Sequence, residues 1–156
     1  MPAAFERVLV MFAPSNWVYG VSAIFWWLVF AFVTLNQLRN LLKQKEVTGE
    51  TISMAVSVYL LLGLTWGLFY AVIFFYQPLA FNLGASSGEL ERFPVLIYFS
   101  LTTLTTIGYG DITPVTVQAR YAAVAEGITG QLYLAILVAR LVAMQMSGTT
   151  RETGSK

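Results

Sequence analysis

Cysteine and histidine are both absent from this chain of 156 residues. Without cysteine there can be no disulfide and no thiolate metal ligand. Without histidine there is no imidazole ligand, and the usual general base is missing. Charge is also scarce. Only 11% of residues are Asp, Glu, Lys or Arg, against about 25% in a soluble domain. The nine basic and eight acidic residues leave a net charge of +1, too little for a nucleic-acid partner. There is no Gly-x-Ser-x-Gly, no metal-binding cluster and no pair of acids within one apolar run, so the chain is not expected to be an enzyme and no cofactor is expected. No internal repeat is visible. What fills the chain is apolar and aromatic. Hydrophobic residues make up 57%, with 11 Phe, eight Tyr and four Trp, and the mean hydropathy is +0.68. That composition belongs to an integral membrane protein with aromatic belts at the two interfaces.

A spanning helix needs about 20 mostly apolar residues. Three segments qualify, at about 17–38, 52–76 and 117–146. Ser15 and Asn16 after Pro14 would cap the first, and Thr51 would open the second. The first span is too long for a secretory signal and lacks a basic lead and a small-residue cleavage site. Residues 3–12 are apolar but too short to cross, and read as a short interfacial helix. Residues 147–156 are polar and read as a disordered tail, so no ligand-binding domain is expected after the last span.

Between the second and third spans lie Gln77 to Thr116. Gly84, Ser86, Ser87 and Gly88 mark an exposed loop. Pro94 then suits the first turn of a short helix at about 94–105. That helix would re-enter the bilayer from one side and aim its C-terminal end, with its partial negative charge, at the membrane centre. Next comes Thr105-Thr106-Ile107-Gly108-Tyr109-Gly110-Asp111. In an ordinary strand successive carbonyls point to opposite sides. Backbone of alternating handedness, which glycine adopts cheaply at Gly108 and Gly110, turns the carbonyls of Thr106, Ile107, Gly108 and Tyr109 to one side. Such a ladder can replace the water around a dehydrated cation, as potassium channels do. The Thr106 hydroxyl would be the innermost ligand.

The segment Thr102-Thr103-Leu104-Thr105-Thr106-Ile107-Gly108-Tyr109-Gly110-Asp111-Ile112-Thr113-Pro114 closely resembles the pore loop of tetrameric potassium channels of bacterial type. With its flanking helices the resemblance covers residues 52–146. It implies an all-α membrane protein with three transmembrane helices, a re-entrant pore helix and a selectivity filter at 106–110. One loop cannot surround an ion, so the pore would be formed by a homotetramer. Residues 1–50 would carry the extra span and a cytoplasmic loop, and 51–146 the pore domain. K+ would be the permeant ion, bound at Thr106, Ile107, Gly108 and Tyr109, with Gly110 closing the filter. The expected location is a bacterial plasma membrane. With the pore loop outside, six basic residues (Arg39, Lys43, Lys45, Arg140, Arg151 and Lys156) fall inside against Arg7, Arg92 and Arg120 outside, as cytoplasmic enrichment of Lys and Arg requires.

The resemblance also assigns supporting residues. Tyr98 and Phe99 occupy positions where many relatives carry tryptophans that cuff the filter tyrosine; Tyr98 can donate a hydrogen bond and Phe99 cannot. Asp111 would tie the filter to the pore helix. Some relatives pair it with a pore-helix acid, where this chain has Thr102, so no carboxylate pair forms there. Arg120 either balances Asp111 or Glu91, or is a solvated surface charge. Glu126 is the one acid within a span and should face protein or water. It either packs behind the filter against the Thr-rich pore helix or senses protons or ions. Gly127 and Gly130 interrupt the inner helix, as hinge glycines or as sites of close helix contact. Gln131, Leu134, Val138, Val142 and Met146 recur at helical spacing, and either line the cavity and gate or form a buried face. Gly63 and Gly67 read as a packing seam against a neighbouring helix. Arg140 should snorkel toward the cytoplasm.

The first span carries no ladder of arginines, so no voltage sensor is visible. No motif names a regulatory partner. The leading reading is a channel passing K+ passively. A full Gly-Tyr-Gly argues against the alternative of a nonselective monovalent cation channel, because related filters that also pass sodium often replace the tyrosine. A transporter subunit with a pore-like loop, or a non-conducting sensor or scaffold, are the remaining readings.

Overall fold

The computed structural model describes residues 16–44, 46–83 and 92–153. The expected interfacial helix at 3–12, the loop at 84–88, Glu91 and residues 154–156 lie outside the described residues, as does the side chain of Met146. Among the described residues, three helices are long and apolar enough to cross a membrane. They are α1 (Asn16–Lys43), α2 (Gly49–Tyr76) and the long α4 (Val117–Thr153). A shorter helix, α3 (Arg92–Leu104), sits between α2 and α4 in sequence. Its 13 residues reach roughly 20 Å, short of the roughly 30 Å hydrocarbon core. The protein is an all-α membrane protein with three spans and a short apolar helix between the second and third.

Several boundaries differ from those read in the sequence. The N-cap of α2 is Thr48 rather than Thr51, and the two share a reciprocal capping box. The Thr51 hydroxyl also donates to the carbonyl of Glu46 at 2.9 Å. Thr51 therefore sits one turn inside the helix, where it closes the loop from α1. The helix α4 continues to Thr153 instead of ending near Met146. Once a helix is nucleated, each added residue fixes few new torsions and gains a hydrogen bond, and residues 147–153 contain no proline to stop it.

One element has no signature in the residue pattern. Phe81–Asn82 (β1) pairs antiparallel with Thr113–Pro114 (β2), Phe81 opposite Pro114 and Asn82 opposite Thr113. The carbonyl of Ala80 also accepts from Val115 N at 2.7 Å. This ladder ties the end of α2 to the start of α4 beside the filter.

Two clusters hold the helices together. One gathers Tyr70, Phe81, Leu96, Phe99, Ile112 and Ala119, where α2, α3, α4 and the ladder meet. The other joins Leu41 of α1 to Ala55 and Val58 of α2, with Tyr133 and Leu137 of α4 packed against it. The seam at Gly63 and Gly67 belongs to α3. A Cβ on Gly63 would come 2.5 Å from Leu101 Cδ2, and one on Gly67 3.1 Å from Ile97 Cα. The extra span α1 lies along α2, joined by a 2.8 Å hydrogen bond between the hydroxyls of Thr34 and Thr65 and by Trp27 against Phe69.

Arg140 does more than extend toward the cytoplasm. Its guanidinium donates to the carbonyl of Leu42 and, at 2.8 Å, to that of Gln44. It thereby caps the C-terminus of α1, where free carbonyls and the helix dipole both favour a cation. Arg120 stays exposed, and the bond it makes is from Nε to Pro114 O at 3.2 Å.

Candidate ion filter and its supports

A helix leaves its last four carbonyls without intrahelical partners. At the end of α3 the chain that follows supplies most of the missing donors. Leu101 O accepts from Thr105 N at 3.1 Å and from Thr105 Oγ1 at 2.7 Å. Thr103 O accepts from Thr106 N at 3.0 Å, and Thr102 O from Gly108 N at 3.1 Å. The fourth, Leu104 O, accepts from Tyr59 Oη of α2 at 3.2 Å. The amide of Gly108 therefore points back at the pore helix.

Backbone handedness alternates along this stretch. Thr106, Gly108 and Gly110 have φ of 60°, 52° and 80°, and the residues between them are not left-handed. A Cβ on Gly108 or Gly110 would meet nothing within 4 Å. Glycine is needed there for conformation, not for room. Thr106 was not expected to join the series. A β-branched residue at positive φ is strained, and the bonds around it hold it there. Residues Thr105 to Asp111 are exposed within the single chain, Ile107 at 56% and Tyr109 at 69%.

Behind the filter, Tyr98 and Phe99 face different neighbours. The Tyr98 ring stacks on that of Tyr109, 6.4 Å between centroids and 1° from parallel. Its hydroxyl donates to Asp111 Oδ2 at 3.0 Å, while Asp111 Oδ1 accepts from Ile112 N. Phe99 is buried and meets Tyr70 and Phe81 edge-on at 5.1 and 5.5 Å. Thr102 turns its hydroxyl to Phe99 O at 3.0 Å, and its carbonyl is what reaches the filter.

Glu126 has no accessible surface. Its Oε1 lies 2.5 Å from Ser100 Oγ of α3, and its Oε2 accepts from Tyr70 Oη of α2, also at 2.5 Å. It does reach the pore helix, through a serine rather than a threonine. Ser100 and Tyr70 were not singled out in the sequence. A buried acid needs donors at its own depth, but many side chains of α2 and α3 can donate, so only the packing of the helices shows which two serve it.

Gly130 is buried, and a Cβ there would overlap the carbonyl of Leu104. The nearest atom to a Cβ on Gly127 is Thr103 O, 3.9 Å away. Further along α4, Gln131, Leu134, Val138 and Val142 are exposed. Tyr133 and Leu137 face the opposite way, into the α1–α2 cluster. Among the described residues no group of His, Cys, Asp and Glu is placed to hold a metal ion.

A family model described as "Ion channel" matches residues 58–146. LctB of Bacillus caldotenax is 30% identical over 96 residues, which are 60% of this chain and 71% of that protein. The two pore potassium channel c of Oryza sativa subsp. japonica is 34% identical over 54% of this chain and 16% of its own length. The A-type voltage-gated potassium channel KCND3 of Homo sapiens is 27% identical over 62% of this chain and 15% of its own length. The chain therefore spans less than a fifth of either of those two proteins. No solved structure matches.

Proposed function

The chain belongs to the ion channel family, and from that premise we propose that four copies form a pore that passes K+ selectively and passively down its gradient. The observation that carries the reading is the left-handed backbone at every second residue, Thr106, Gly108 and Gly110. Between the anchored ends of this stretch, the carbonyls of Thr106, Ile107, Gly108 and Tyr109 have one common side to face. In a four-fold ring each level supplies four oxygens, which stand in for the hydration shell of a large monovalent cation. The amide of Gly108, turned toward Thr102 O, keeps the donors away from the axis.

Supporting residues take distinct parts in this proposal. Tyr98 and Asp111 hold the outer end of the filter, and Phe99 and Thr102 hold the pore helix. Glu126 braces that helix from behind. Gln131, Leu134, Val138 and Val142 line the inner cavity, where apolar side chains gate by dewetting. Gly127 and Gly130 are the candidate hinge positions. The pore loop faces outside, the N-terminus is outside, and the setting is a bacterial plasma membrane.

Bi-ionic reversal potentials of the purified chain in planar bilayers test the reading. A strong preference for K+ over Na+ is the expected result. Equal permeability would instead favour a nonselective cation channel, and absence of flux from liposomes a non-conducting sensor or scaffold.

A further inference from the structure

The hydroxyl of Ser100 lies between two acceptors. Its Oγ is 2.7 Å from the carbonyl oxygen of Gly63 on α2 and 2.5 Å from Oε1 of Glu126 on α4. A hydroxyl has one hydrogen to give. A carbonyl accepts only, and so does an ionised carboxylate. With Glu126 ionised, one hydrogen would have to serve two acceptors. One pair of oxygens would then meet at hydrogen-bond distance with nothing between them. Tyr70 does not relieve this, because its hydroxyl already serves Oε2.

A hydrogen on Oε1 completes the count. Glu126 then donates to Ser100, Ser100 donates to Gly63 O, and Tyr70 donates to Oε2. We infer that Glu126 works as a neutral carboxylic acid whose hydrogen runs a donor chain from α4 through Ser100 to α2, and that loss of this hydrogen at raised pH loosens the pore helix and lowers conduction. The conduction half of this inference rests on the channel reading above; the hydrogen count does not.

The surroundings agree. Glu126 is fully buried, and an isolated carboxylate away from water is costly. The titratable groups that face it are Tyr70 and Tyr59, both from α2. Neither brings a positive charge. The pore helix presents Ser100, which does not ionise. When the acid loses its hydrogen, the Ser100 hydrogen goes to the carboxylate, the stronger acceptor. Gly63 O then loses its side-chain partner at the point where Gly63 seats against Leu101 of the pore helix.

Infrared spectroscopy of the purified chain in liposomes, in H2O and D2O, reads the hydrogen directly. The expected result is a protonated carboxylic acid band at neutral pH that is absent from Glu126→Gln. Ser100→Ala should shift that band, because the acid loses its acceptor. In parallel, K+ flux of the unaltered chain should fall about 2- to 10-fold, the range one net hydrogen bond corresponds to, as pH rises through the titration of the band. Glu126→Gln, whose amide N–H replaces the acid O–H, should show no such pH dependence. No acid band at neutral pH, a band that survives Glu126→Gln, or a band unmoved in Ser100→Ala overturns the inference. If Glu126→Gln does not assemble, the Ser100→Ala shift decides alone. An acid band without any K+ flux sinks the channel reading and leaves the hydrogen assignment standing.

Discussion

Gly130 of the inner helix rests against the carbonyl of Leu104, the last residue of the pore helix, with no room for a side chain between them. The same carbonyl takes the hydroxyl of Tyr59. Three helices thus converge on the point where the pore helix turns into the filter.

This contact separates two roles for glycine in α4. Gly130→Ala should push the pore helix away and lower stability by about 1–3 kcal/mol, as overpacking does, with reduced K+ flux. Gly127→Ala meets only Thr103 O at 3.9 Å. It should be tolerated and can gain up to about 1 kcal/mol from helix propensity. Thermal dissociation of the detergent-solubilised assembly measures both. If Gly130→Ala assembles as well as Gly127→Ala and only its opening is altered, Gly130 is a hinge and not a seat.

At the outer end the relevant pair is Tyr98 and Asp111. Tyr98→Phe keeps the ring stacked on Tyr109 and removes the hydroxyl that reaches Asp111. The loss of one such bond is worth about 1 kcal/mol. Preference for K+ over Na+ should fall by about 5-fold in bi-ionic reversal potentials, the equivalent of that energy. Tyr98→Ala should fall further, since it removes the stacking as well. Equal selectivity in Tyr98→Phe and the unaltered chain would show that the hydroxyl takes no part.

Much of this architecture was legible because its signals are local. Three long apolar runs set the spans, and Gly108 and Gly110 announce a backbone of alternating hand. The missed features depend on pairing across the fold. The ladder of Phe81–Asn82 with Thr113–Pro114 is two residues long, too short to show any periodicity. The left-handed Thr106 carries no glycine to mark it. Its conformation is imposed by the alternation on its C-terminal side and by Thr103 O on its amide. The partners of Glu126 were invisible for a similar reason. A serine in one helix and a tyrosine in another become neighbours of an acid in a third only after the helices pack. For Arg140 the residue pattern predicts only a side chain that snorkels toward the cytoplasm, because its acceptors are backbone carbonyls at the end of α1, which leave no trace in side-chain identity.

That clasp can be opened. Arg140→Ala removes the donors to Leu42 O and Gln44 O and leaves the end of α1 uncapped. Hydrogen exchange in residues 40–48 should rise, by about 5-fold for a loss of about 1 kcal/mol. Arg140→Lys should restore only part of the protection, since an ammonium lacks the planar fork that reaches two carbonyls. Unchanged exchange in Arg140→Ala would mean that the loop is held from within, by Thr48 and Thr51.

The absence of cysteine gives the inner helix a clean assay. Single cysteines introduced along α4 would be the only thiols in the protein. Val138 is exposed, while its neighbour Leu137 packs against the cluster of Leu41, Ala55 and Val58. If the exposed face lines a water-filled cavity, Val138→Cys should react with a charged, membrane-impermeant thiol reagent added from the cytoplasmic side, and K+ current should be blocked. Leu137→Cys should react far more slowly under the same conditions, because its side chain points between α1 and α2. Lipid cannot dissolve such a reagent, so reaction at position 138 distinguishes a wet cavity from a face turned to the bilayer. Equal protection of both thiols with the channel conducting would move the pore lining to another face of α4. A block at position 137 alone would reverse the assignment of the two faces.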